Sequence, residues 1–72
     1  MEKIVRTETV NGVEIQMIDT MPGRVGARQR FVARVAGRPD FVLNGGSNPR
    51  IHDAIAWFDF ENFCRACDES GF

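Results

Sequence analysis

Asn11-Gly12 is the feature that most restricts what this chain can fold into. Asn-Gly between two β-type runs marks a two-residue type I′ hairpin, because both turn residues need positive φ. The flanking strands span about residues 3–10 and 13–20. The turn also sets their register. Val10 falls opposite Val13, Glu8 opposite Ile15, Arg6 opposite Met17 and Ile4 opposite Asp19. Ile4, Val10, Val13, Ile15 and Met17 then share one face, expected to be the core face. Thr7, Thr9, Glu14 and Gln16 take the other.

A second hairpin follows. Residues 21–27 hold one Pro and two Gly and read as a loop. From Arg28 to Ala36 the sequence alternates. Phe31, Ala33 and Val35 point one way; Arg28, Arg30, Val32 and Arg34 point the other. Gly37-Arg38-Pro39 is a turn, and residues 41–44 return as a short strand. Pairing Val35 with Phe41 and Ala33 with Leu43 keeps the large apolar residues on one face.

Asn44 to Asn48 connects to a helix. Asn48 suits the N-cap and Pro49 the first helical position. The helix is expected to reach about Ser70, with Gly71 as the C′ residue and Phe72 folded back onto Cys67. Two apolar stripes run along it: Ile51, Ala54, Ile55 and Phe58, then Phe60, Phe63, Cys64 and Cys67. At about 100° per residue they lie on nearly opposite sides. The helix breaks near Asp59, or covers a bent sheet, or lies between the sheet and a second protein surface. The expected fold is α+β: a four-stranded antiparallel sheet of two hairpins with one C-terminal helix on one face (ββββα), as one domain over residues 1–72.

Composition bounds function. The chain is 43% hydrophobic and 26% charged, with net charge −1, too apolar for a disordered tail. No apolar run approaches the ~20 residues of a membrane span. Met1-Glu2-Lys3-Ile4 does not begin a signal peptide, so a cytoplasmic location is expected. Residues 24–50 sum to +5, whereas residues 51–72 sum to −4. A basic middle and an acidic end point to a polar partner.

No catalytic constellation is visible. The chain has no Tyr, and its serines are Ser47 and Ser70, both suited to capping or helix ends. Asp53 and Asp59 lie about 9 Å apart along the helix and on different faces, so they form no obvious acid/base pair. His52 reads as a surface or second-layer residue. Cys64-x-x-Cys67 lies far from the helix N-terminus that lowers a thiol pKa. Zinc would need four ligands, and His52 is three turns away. Two small buried residues is the simpler reading of the pair. No metal or cofactor is expected. Asn44-Gly45-Gly46-Ser47 fits an anion cradle, but a tight connector explains it as well.

The arginines are the most informative surface feature. Arg28, Arg30 and Arg34 share one strand face, with Arg38 at the adjoining turn. Unless Glu8 or Glu14 neutralises them, they offer planar donor forks to carboxylates or phosphates. No aromatic residue lies among them to stack on bases. The first expectation is therefore a non-enzymatic protein-binding module whose arginine stripe meets an acidic protein surface. Trp57, Phe60 and Phe63 would form a dimer or partner contact, with homodimerisation expected. Nucleic-acid binding through the same arginines is the second expectation. The ββββα plan and small size resemble, in outline, small proteins of phages and mobile elements, some of them anti-CRISPR inhibitors. That resemblance implies action by occupying another molecule's surface.

Overall fold

A computed structural model describes residues 1–71. The elements are β1 (Lys3–Val10), β2 (Val13–Asp19), β3 (Phe31–Val35), β4 (Phe41–Val42) and α1 (His52–Glu69). The strands form one antiparallel sheet in the order β1-β2-β3-β4. The α+β ββββα architecture is the one expected.

Asn11 and Gly12 have φ of 50° and 79°, as a type I′ turn requires. Val10 pairs with Val13, Glu8 with Ile15 and Arg6 with Met17. A bulge between Ile4 and Arg6 then shifts the register, so Ile4 opposes Ile18 and Lys3 opposes Asp19. This corrects the expected inward place of Ile4. The extra residue, Val5, packs against the core instead, and Ile4 is exposed. Ile4, Ile18, Val32 and Val42 thereby form an apolar row across the face away from α1.

The second hairpin also pairs differently. Ala33 opposes Phe41, two residues from the expected register. Pro39 has no N–H to give a ladder. Asp40 turns its carboxylate to Arg34, and the strand resumes only at Phe41. The shift by two keeps Phe41 on the face expected for it.

The helix does not break at Asp59. It runs unbroken for 18 residues. Its inward stripe is His52, Ala56, Phe60 and Cys67, with Phe63 and Cys64 partly buried beside it. Phe60 is fully buried and joins a core of Ile15, Met17, Phe31, Ala33, Val35 and Leu43. Asp59 caps no second helix, because its carboxylate accepts the Asn44 N–H at 2.8 Å.

Asn48 does not cap α1. Its Oδ1 accepts the Arg50 N–H (3.0 Å) and its carbonyl the Ile51 N–H (3.2 Å), closing a separate turn ahead of the helix. Ile51 occupies the N-cap position without a side-chain cap. At the other end Gly71, at φ 73°, donates its N–H to the Asp68 carbonyl, as the expected C′ residue would. The expected contact of Phe72 with Cys67 lies outside the described residues.

Candidate functional site

The four arginines expected to form a stripe have separate environments. Arg30 is buried and grips Asp19 with two prongs, Nε to Oδ1 at 2.9 Å and a terminal nitrogen to Oδ2 at 2.8 Å. Its other terminal nitrogen reaches Asp53 on α1 at 2.9 Å. The Arg30 hydrogen bonds, helped by the Met21 N–H, hold the Asp19 carboxyl below its ordinary range. The same pairing raises the pKa of Arg30.

Arg34 does face away from α1, but it is clamped between two carboxylates. It donates to both oxygens of Glu2 (2.7 and 3.1 Å) and both of Asp40 (3.0 and 2.7 Å). Its guanidinium lowers the pKa of each carboxyl and is itself raised in turn. Neither Glu8 nor Glu14 supplies this neutralisation; Glu8 pairs with Arg6. Arg38 is exposed beside Pro39, Phe41 and Phe63. Arg28 is exposed and makes no hydrogen bond or ion pair among the described residues.

The aromatic residues expected at a contact are likewise divided. Phe60 is a core residue with no exposed surface, which removes it from any interface. Phe63 is half-buried, its ring centroid 5.0 Å from that of Phe41. Trp57 does reach the surface, with the Arg6 guanidinium 4.6 Å from its ring centroid. Arg6 also donates to Glu61 at 3.1 Å, tying β1 to the helix.

The stripe left over is the first one. Ile51, Ile55 and Phe58 are 48%, 36% and 62% exposed. Helical spacing puts them on the face opposite Phe60. This patch occupies the first turns of α1, and loops frame it. A Cβ on Gly46 would lie 3.4 Å from Ile55 Cδ1, so the 44–48 loop runs alongside. Gly26 approaches Pro49 so closely that a Cβ there would be 2.5 Å from the Pro49 carbonyl oxygen. Arg24 and Arg28 flank Gly26, and Arg50 follows Pro49. All three are exposed, and their side chains have no ion pair among the described residues.

Beneath this end of the helix the buried charges are matched. Asp53 takes Arg30 on Oδ2, while its Oδ1 lies 3.2 Å from His52 Nδ1 and accepts the Gly26 N–H at 3.4 Å. Arg30 thus joins β2, β3 and α1 through Asp19 and Asp53. His52 is 3% exposed, so of the two places expected for it the surface one is excluded. The signal for its burial was Gly45: a Cβ there would meet the imidazole Cδ2 at 2.3 Å.

Cys64 and Cys67 are free thiols on the inward side of α1. Burial is the main cause that raises the pKa of Cys64. Among the described residues no group of three or more His, Cys, Asp or Glu is placed to hold a metal ion. No helix among them is long and apolar enough to cross a membrane. No protein-family model, curated protein or solved structure matches the chain.

Proposed function

We propose that this chain is a non-enzymatic protein-binding module whose contact surface is the Ile51–Ile55–Phe58 face of α1. Phe58 carries the reading. It is a large aromatic side chain 62% exposed, between two other exposed apolar residues, on a helix whose opposite stripe already fills the core. Aromatic anchors inside a polar rim are the usual energetic centre of a protein interface. Here the rim is basic, through Arg24, Arg28 and Arg50. The partner chemistry that complements it is an apolar groove bordered by carboxylates. Covering such a groove is inhibition without chemistry, which suits a chain of this size.

Nucleic-acid binding along the strand arginines has less support. Arg30 and Arg34 already hold two carboxylates each, and a phosphate would have to displace them.

The test is a photo-reactive residue at position 58, irradiated in an extract of the source cells. The expected product is an adduct with an acidic protein, lost with Ile55→Asp, weakened by Arg28→Glu and unchanged by Arg34→Gln. Adducts formed only between copies of the chain would replace the partner by a homodimer. No adduct under any condition would defeat the reading.

A further inference from the structure

A hollow of about 440 Å³ opens beside the first turn of α1, between the start of β3 and the 44–47 loop. We propose that it binds a phosphate group carried on a small organic molecule. The inference does not rest on the protein-binding reading and goes beyond it.

Five side chains with donor groups border the hollow: Arg28, Gln29, Asn44, Ser47 and His52. The guanidinium of Arg28 and the hydroxyl of Ser47 have no hydrogen-bond partner among the described residues. His52 is more than nine-tenths buried. Its Nδ1 faces Asp53, and its Nε2 has no partner among the described residues. Asp53 only accepts, so His52 donates from Nδ1; in the imidazolium form Nε2 donates as well, and an anion's oxygen can take it.

The wall between these donors is backbone. Any side chain at Gly45 would collide with the imidazole, and Gly46 has φ 75°. Bare backbone lets a ligand approach the Gly45 and Ser47 N–H groups closely, whereas the Gly46 N–H is already donated to Asn44 Oδ1 at 2.9 Å. Asp53 does not oppose an anion, since Arg30 holds its other oxygen. Asp59, the acidic residue tied to this wall, is turned to the Asn44 N–H.

Arg28 borders the hollow from the segment before β3, His52 from α1, and Ser47 and the loop amides from the 44–47 loop. A tetrahedral phosphate has three free oxygens to meet donors from several directions, whereas a planar carboxylate has two. The hollow is also larger than a phosphate alone, and Val42 and Leu43 give it an apolar side for the organic part.

The experiment titrates inorganic phosphate into the 15N-labelled chain at constant ionic strength, followed by NMR. Saturable shifts are expected at the Gly45 and Ser47 amides and at His52 Nε2. Arg28→Gln should weaken binding about tenfold, the loss of one charge-assisted contact. Phe58→Asp, which removes the proposed protein contact, should leave phosphate binding unchanged. Shifts that never saturate, or that ignore Arg28→Gln, overturn the proposal. Acetate binding as tightly as phosphate would overturn it too, in favour of a carboxylate ligand.

Discussion

Asp19 and Arg30 meet as a buried two-pronged pair at 2.9 and 2.8 Å, where β2 ends and β3 begins. The pair is sequestered from solvent, so it bears on stability in a way the exposed Arg34 clamp does not. Asp19→Asn keeps the shape but leaves the buried guanidinium with the partly exposed Asp53 as its remaining carboxylate. The expected loss is about 3 kcal/mol, read as a lower urea midpoint at unchanged slope. Asp19→Leu combined with Arg30→Met should recover most of it, since an apolar pair of similar volume needs no desolvation of charge. A double variant weaker than Asp19→Asn would show that the pair is worth more than its desolvation.

The same carboxylate sets an acid limit. Asp19 has its folded pKa below the ordinary carboxyl value, chiefly through Arg30. Its contribution is complete above the unfolded value, ~3.9, and fades as pH falls through the lower folded one. Glu2 and Asp40 act in the same direction through Arg34. Thermal melts across the acid range should therefore show stability falling below about pH 4. In Asp19→Asn that fall should be shallower; an identical acid limb would remove Asp19 from it.

Two phenylalanines two residues apart should behave oppositely. Phe60→Ala empties the centre of the core and should lower stability by about 3–5 kcal/mol. Phe58→Ala touches a residue facing solvent and should stay within about 0.5 kcal/mol. Equal losses in chemical denaturation would mean that the helix buries both stripes.

Gly45→Ala tests a contact that has no room to give. The added methyl would lie 2.3 Å from the buried His52 ring. Overpacking of this kind costs about 1–3 kcal/mol. The check is a lower melting temperature together with a displaced His52 ring signal. An unmoved imidazole would show that the loop, not the ring, yields.

The thiols offer a further check. Burial raises the Cys64 pKa, and Cys67 is buried more deeply. Thiolate is the reactive form, so a thiol reagent at neutral pH should label the native chain far more slowly than the unfolded one. Equal rates would place the C-terminal half of α1 away from the sheet.

Much of the fold was legible because a few residues admit one conformation. Asn11-Gly12 determined the first turn and three cross-strand pairs. Alternation sorted Phe31, Ala33 and Val35 inward. Ile4 was not legible, because a bulge inserts one residue without a compositional mark. The destination of Arg30 was hidden for a related reason. It precedes the regular part of β3, where alternation does not bind its side chain. The choice between the helix stripes was also open, since their periods are alike. Arg30 reaching Asp53 accompanies the Ala56–Phe60 side facing the sheet, and that pairing of residues 23 positions apart has no local signature. The proposed contact surface accordingly includes Phe58, which is exposed, and not Phe60, which is buried.

The position of Phe60 in the chain imposes an order on how the molecule comes into being. All four strands are synthesised before the residue that fills the space above them. Until it arrives, Ile15, Met17 and Phe31 have only one another for cover. The hairpin of β2 and β3 can already close through Asp19 and Arg30, but Asp53 comes later. A newly made chain therefore passes through an interval with its sheet lettered in full and its greasiest side bare, when a chaperone or another nascent copy competes with its own helix.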